Sequence, residues 1–248
     1  MPKDTLANVI AGSDGDQFAV HTVQSLAHGQ EMRFPDGRRF RYARAGAVAV
    51  VPGKLYQAAI PVTNHVLRTP VAAAVGDRTI SLAIGATDVT ADQYRDGYVV
   101  VDLATNTGFG YMYEVAAHPV ITGSTTWAVP IRSGVQVAIS TQATSVSLVP
   151  NNYAGVILSV VATPTATLAG VSVKAIPIDN FGWIQVAGNC MCLTDGTVVI
   201  GTTVITGTVT GSVIAESSAA SLTLPVVGTV VRVAIDTAYS TICLQGLE

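Results

Sequence analysis

Charged residues are scarce in this sequence of 248 residues. They make up 12% of it, against about 25% in ordinary soluble domains. Hydrophobic residues make up 49% and the formal net charge is −3. Disordered chains combine low hydrophobicity with high net charge, so the composition excludes intrinsic disorder. A strongly electrostatic nucleic-acid binder is also disfavoured, because the acidic balance gives a pI of about 5.7.

Long apolar runs and helical periodicity are missing as well. The apolar stretch 45–52 is eight residues long, whereas a helical membrane span needs about 20. No segment keeps a 3.6-residue apolar period for a useful length. The first residues carry a charge but no apolar core of signal-peptide length, so we expect synthesis in a cytoplasm without a cleaved signal.

Reactive side chains are few and scattered. The three cysteines, Cys190, Cys192 and Cys243, lack the C-x-x-C spacing of zinc and redox sites, so we expect buried, reduced thiols. The nucleophile-elbow, zincin, phosphate-loop and dinucleotide motifs are absent. No histidine pair has the spacing of metal ligands. The sequence therefore predicts no catalytic residue, no cofactor and no metal.

Short apolar segments separated by turn residues fill the rest of the chain. Turn signals recur about every 8–12 residues, which is typical of β-sandwiches and β-barrels. Segment 77–84 alternates cleanly, and segments 98–103 and 109–115 predict a meander with a surface rich in Tyr and Val. One helical turn is predicted near 88–94. The fold class is all-β: two small β-sandwich or barrel domains with an extended N-terminal arm and at most one or two short helices.

Composition shifts along the chain suggest four segments. Residues 1–29 form an extended N-terminal arm, and residues 30–150 form a β domain that contains a basic hairpin. Residues 151–180 are linker or hinge strands, and residues 181–248 form a small β-barrel. Segment 156–161 is apolar enough to contribute to a shared core in an oligomer.

The basic hairpin has five arginines within twelve residues, interleaved with aromatic residues: Arg33, Arg38, Arg39, Arg41 and Arg44. A β-ribbon of this kind can bind single-stranded nucleic acid. Alternatively, it is a solvated strand whose arginines pair with carboxylates of a neighbour. A third interpretation is an interface with an acidic partner surface, because arginines and aromatic residues are enriched at protein interfaces.

Two stretches resemble virion proteins of tailed bacteriophages. The first runs from Gly37-Arg38-Arg39-Phe40-Arg41-Tyr42-Ala43-Arg44-Ala45-Gly46 into Val51-Pro52-Gly53-Lys54-Leu55-Tyr56-Gln57. The second, Asp195-Gly196-Thr197-Val198 with the later Gly211-Ser212-Val213 and Val227-Gly228, is similar to small β-barrel domains that decorate phage heads. The resemblance covers most of residues 30–248.

This resemblance implies a capsid decoration, or cement, protein. Such proteins coat the outside of an expanded capsid, commonly as homotrimers, and catalyse nothing. The implied partners are the major capsid protein and further copies of this chain, with no direct contact to nucleic acid or membrane. The implied location is the capsid exterior of a virion. The expected contact residues lie in the arm and the basic hairpin: Phe18, Val20, Val23, Phe34, Arg38, Arg39 and Arg41.

Two alternatives remain open at this point. The chain could be another phage structural β protein, such as a head-fibre, tail-tube, baseplate or adhesin domain. A polysaccharide-acting enzyme is the other alternative, and it is disfavoured because carboxylates are sparse after Glu114 and glycosidases need a close carboxylate pair.

Overall fold

The structure of the protein is a computed structural model. It describes residues 9–102, 107–141, 146–160, 165–216, 224–236 and 238–247. Within these ranges the secondary structure is all-β, which confirms the predicted fold class. No helix in the described part of the chain is long and apolar enough to cross a membrane.

Seventeen strands run through the described residues. In chain order they are β1 (Val9–Ala11), β2 (Val20–His21), β3 (Glu31–Arg33), β4 (Arg39–Ala45), β5 (Leu55–Gln57), β6 (Thr79–Ala83), β7 (Tyr98–Val101), β8 (Met112–Glu114), β9 (Thr126–Pro130), β10 (Val146–Val149), β11 (Ala154–Leu158), β12 (Leu168–Ser172), β13 (Phe181–Leu193), β14 (Thr203–Thr206), β15 (Val213–Ala215), β16 (Val226–Arg232) and β17 (Tyr239–Gln245). Two short 3₁₀ turns lie at Asp16–Phe18 and Thr63–His65.

The chain divides into two compact units. Unit 1 combines residues 1–59 with residues 155–248, and unit 2 is residues 60–154. Unit 2 is thus an insertion between two parts of unit 1, and this division differs from the four consecutive segments predicted from the sequence. The predicted hinge at 151–180 instead supplies β11 and β12, because both strands pair with β5.

Unit 1 contains a closed ring of five strands. The ring runs from β4 to β11, β5, β12 and β13, and β13 pairs with β4 again. Val156 in β11 is completely buried in its own chain, so it belongs to this unit rather than to a core shared between subunits. A closed ring leaves no free sheet edge, and it therefore pairs the backbone groups of its strands.

The long strand β13 joins this ring to a second set of strands. Its first half pairs with β4, and its second half pairs with β17 over Ala187–Leu193. From β17 the sheet continues through β16 and β14 to β15. A bridge between Thr194 and Val213 then brings β15 back beside the end of β13. These strands enclose an apolar cluster that includes Cys190, Cys192 and Ile242.

The N-terminal arm is part of unit 1 wherever it is described. β1 pairs in parallel with β3, and β2 pairs with the start of β13. Ile10, Ala19 and Leu26 pack against an aromatic cluster of the same chain. The prediction of an extended arm is therefore wrong for residues 9–29, because two of its strands pair within their own chain and three of its apolar side chains cover the protein's own core. Residues 1–8 lie outside the described residues.

Unit 2 has shorter strands and more connecting structure. A three-stranded sheet has the order β10–β7–β8, and β6 pairs with β9 in a separate ribbon. The predicted alternation is confirmed in β6, where Ile80 and Leu82 are completely buried. The predicted helical turn near 88–94 is a series of turns. Asp92 has a φ of +55°, which a right-handed helix does not allow.

Candidate functional site

The basic hairpin is formed by β3 and β4, as the sequence predicts. Arg33 pairs with Arg39 and Met32 pairs with Phe40 across the two strands. Phe40 is completely buried, whereas the side chain of Arg41 is one-fifth exposed. The strand alternation thus directs aromatic rings into the core and leaves arginines near the surface.

A carboxylate of the same chain neutralises the centre of this hairpin. Glu31 forms ion pairs with Arg33 and, at 3.3 Å, with Arg41. Arg41 also donates to the carbonyl of Gly29 at 3.0 Å. Burial alone would raise the pKa of Glu31, but the hydrogen bond from Arg33 and the charges of Arg41, Arg33 and Arg39 outweigh it and lower that pKa.

The ends of the hairpin are neutralised in the same way. The guanidinium of Arg38 lies 4.7 Å from the centre of the Phe34 ring and donates to Asp36 at 2.6 Å. Asp14 lies 3.7 Å from the same guanidinium. These ion pairs agree with the interpretation that the arginines pair with carboxylates, but the carboxylates belong to the same chain rather than to a neighbour.

The apolar residues predicted as contacts are divided between core and surface. Phe18 and Val23 are exposed, at 48% and 74% of their surface. Val20 is half-buried in β2. Phe34 is buried and packs against Phe40 with ring centres 5.1 Å apart, so it is a core residue rather than a free contact residue. Of the predicted apolar contacts, only Phe18 and Val23 therefore present a large exposed surface.

The three cysteines are free, and Cys190 and Cys192 are buried as expected, whereas Cys243 is not. Cys190 and Cys192 are buried on the same side of β13, two residues apart, and burial raises the pKa of both thiols. Cys243 is partly exposed and lines an open pocket of about 450 Å³. Asn189 and Arg38 line the same pocket. A high thiol pKa keeps Cys190 and Cys192 in their unreactive, protonated form.

Metal-ligating side chains do not converge in the described part of the chain. Over the ranges from 9 to 247 that the structure describes, no group of three His, Cys, Asp or Glu residues is placed to hold a metal ion. His65 and His118 do approach a common residue, Tyr94, inside unit 2. Their ring nitrogens are occupied by hydrogen bonds within the protein.

The sheet of unit 2 presents an apolar outer face. Val149 pairs with Tyr98, and Val100 pairs with Met112, across β10, β7 and β8. Tyr98, Met112 and Val149 are exposed, while the alternate residues Val99 and Leu148 are buried. We call Tyr98, Val100, Met112 and Val149 the outer face.

An ion pair between Glu114 and Arg132 lies at the border of the outer face. Glu114 pairs with Tyr98 on the adjacent strand. Its carboxylate lies 2.7 Å from Arg132. The negative charge of Glu114 at this border is therefore neutralised within the chain. The Tyr- and Val-rich meander in the sequence pointed to this surface, but both faces of β7 are apolar, so periodicity could not tell which one is exposed.

Comparison with known proteins found no related protein. The sequence matches no protein-family model, and neither the curated proteins nor the solved structures compared with it give a match.

Proposed function

We propose that this protein is a structural component of a phage virion that binds the outer surface of the capsid and holds adjacent capsomers together. The proposal rests first on the sequence resemblance to head decoration proteins. The observation that supports it best in the structure is the outer face, where Tyr98, Met112 and Val149 expose apolar surface on a regular sheet. Exposed apolar patches on a folded domain are typical of surfaces that bind a partner.

The charge distribution favours an apolar contact over an electrostatic one. Glu31 neutralises two arginines of the hairpin, and Arg44 donates to Asp179 at 2.7 Å. A surface that binds phosphate groups needs cationic side chains whose charge is not already neutralised by carboxylates of the protein. These internal ion pairs therefore favour protein partners: the major capsid protein and, in a homotrimer, further copies of this chain.

The proposed mechanism is mass action. A protein that binds only the assembled shell stabilises that state in proportion to the logarithm of its free concentration over its Kd. Burial of the outer face contributes at roughly 25 cal/mol per Å² of apolar surface removed from water. No covalent step is needed, so the protein acts as a binder and not as an enzyme.

Quantitative mass spectrometry of purified virions tests this proposal. Heads and tails are separated, and the copy number of this chain is measured relative to the major capsid protein. We expect hundreds of copies, all in the head fraction. A few copies in the tail fraction would instead support the alternative of a tail-tube, baseplate or adhesin domain, and absence from virions would overturn a structural role.

The outer face has its own test. Met112→Arg places a charge on the exposed sheet and is expected to reduce head occupancy at least tenfold without lowering Tm. Val75→Arg is the matched control, because Val75 is an exposed valine of the same unit. Equal occupancy for both variants would show that the outer face is not the binding surface.

A further inference from the structure

Tyr94 is hydrogen-bonded to two buried histidines. Its hydroxyl lies 2.7 Å from Nδ1 of His65, and its backbone N–H donates to Nε2 of His118 at 3.1 Å. All three residues are at least 95% buried. We call His65, Tyr94 and His118 the tyrosine latch.

The other ring nitrogen of each histidine faces a backbone carbonyl. Nε2 of His65 lies 2.8 Å from the carbonyl of Thr87, and Nδ1 of His118 lies 2.9 Å from the carbonyl of Pro119. A carbonyl oxygen can only accept, so each of these nitrogens carries the proton. Nε2 of His118 accepts from the backbone N–H of Tyr94, so the imidazole of His118 is neutral in this arrangement.

His118 also holds the turn that contains Tyr94. The backbone N–H of His118 donates to Oδ1 of Asp92 at 2.8 Å, and the backbone N–H of Asp92 donates to the carbonyl of His118 at 3.0 Å. The Trp127 ring lies 4.8 Å from the His118 ring. Three hydrogen bonds thus connect one histidine to the turn at 92–94.

The groups around His118 disfavour its charged form on balance. Burial lowers the pKa of His118, while the hydrogen bond to Pro119 and the charge of Asp92 oppose this shift without cancelling it. Asp92 itself is paired with Arg95 at 3.4 Å. Tyr94 and Trp127 contribute rings without charge to this environment.

We propose that His118 is an acid-sensitive latch: protonation of its Nε2 breaks the hydrogen bond from the N–H of Tyr94 and opens the turn at 92–95. The added proton occupies the lone pair that the amide uses, so two N–H groups face each other. A buried amide then loses its acceptor, and a positive charge lies among apolar rings.

The direction of the pH effect follows from linkage. An unfolded histidine binds a proton near pH 6.5, and His118 in the folded protein does so at lower pH. The stabilisation is complete above about pH 6.5 and is lost as the pH falls from there to the pKa of folded His118. For one proton, the opening equilibrium rises by up to about tenfold per pH unit in this window.

Hydrogen exchange of the Tyr94 amide, followed by NMR on the full chain between pH 7.5 and pH 5, tests the proposal. We expect its protection factor to fall by up to about tenfold per pH unit below pH 6.5. His118→Gln keeps an acceptor oxygen that does not titrate, so its protection factor is expected to stay constant in this range. His21→Gln, in unit 1, is the control that should retain the wild-type dependence.

Two results would overturn the proposal. One is a constant protection factor in the wild type, and the other is the same pH dependence in His118→Gln as in the wild type. If His118→Gln does not fold, ¹⁵N NMR of the imidazoles in the wild type decides. Titration of His118 together with loss of Tyr94 protection supports the latch, whereas titration without that loss contradicts it.

Discussion

Unit 1 pairs its strands around a closed ring, whereas unit 2 joins two small sheets through isolated bridges and side chains. In unit 1 the single long strand β13 pairs with three other strands, β4, β12 and β17. In unit 2 the loops are held by polar side chains: Asp88 accepts from the N–H of Gly123 at 2.7 Å, and Asp92 accepts from that of His118. Long paired strands therefore organise unit 1, whereas in unit 2 side-chain hydrogen bonds add to the backbone hydrogen bonds between loops.

This difference extends to the titratable groups. The arginines of unit 1 are paired with carboxylates near the surface, as at Arg44 and Asp179. Unit 2 buries His65 and His118 around Tyr94, and His118 accepts a hydrogen bond from a backbone amide there. Surface ion pairs contribute little to stability, whereas buried polar groups are costly when a partner is lost. We therefore expect mild acid to act on unit 2 through the turn at 92–95, and the surface ion pairs of unit 1 to contribute less to stability than its packing.

The largest expected effect tests packing in unit 1. Tyr42 is completely buried and lies 5.9 Å from Phe181 and 5.3 Å from Trp183, between ring centres. Tyr42→Ala removes this aromatic contact and is expected to cost about 3–5 kcal/mol. Chemical denaturation in a Trp127→Phe background measures it, because Trp183 is then the remaining tryptophan.

Tyr42→Phe is the matched control for this substitution. It removes the hydroxyl that lies 3.0 Å from the Ser25 hydroxyl and keeps the ring. We expect a loss of about 1 kcal/mol. If both variants lose the same free energy, the hydrogen bond and not the ring packing stabilises this cluster.

The next effect tests the loops of unit 2. A Cβ on Gly123 would lie 2.4 Å from the carbonyl oxygen of Ala86, which is backbone and cannot rotate away. Gly123→Ala is expected to destabilise unit 2 by about 1–3 kcal/mol. Denaturation followed by Trp127 fluorescence measures this, with exposed Thr122→Ala as the control. A change below about 0.5 kcal/mol for Gly123→Ala would show that these loops are not tightly held.

A smaller effect concerns the partly buried carboxylate of unit 1. The pKa of Glu31 is lowered from its usual 4.5, so its stabilisation is present above that pH and is lost as the pH falls through the folded pKa. Glu31→Gln is expected to cost about 1–2 kcal/mol at pH 7 and much less at pH 3. Free energies of unfolding at the two pH values check this, and an equal loss at both would contradict a charge effect.

The smallest effect is expected at an exposed ion pair. Asp179 bonds to Arg44 at 2.7 Å and has a φ of +61°, which asparagine also adopts readily. Asp179→Asn therefore removes the charge without straining the turn. We expect a loss below about 1 kcal/mol by thermal denaturation. A loss as large as that of Glu31→Gln would remove the distinction between exposed and partly buried pairs.

Local patterns predicted much of the strand structure. The arginines interleaved with aromatic residues predicted the β3–β4 hairpin, and the alternation at 77–84 predicted β6. Strand pairing over long distances was not predictable in this way. The ring closes where β4 meets β13, which pairs Arg44 with Phe181, and no local pattern specifies that partner.

Separation along the sequence also limits prediction of the candidate site. The sequence showed a cluster of arginines, but Arg44 and its partner Asp179 are 135 residues apart. The apolar residues of the arm suggested a contact with another subunit. Ile10 and Leu26 cover the aromatic cluster of their own chain, because burial stabilises an apolar side chain wherever the fold provides it. Phe18 and Val23, which were predicted as contact residues, are exposed.

The central claim is that the protein binds the capsid exterior, and an add-back titration tests it most directly. Heads that lack this chain are mixed with increasing amounts of the purified protein, pelleted and quantified. The account predicts saturation at a fixed ratio to the major capsid protein, with Met112→Arg failing to saturate. The absence of saturable binding by the wild-type protein would contradict it.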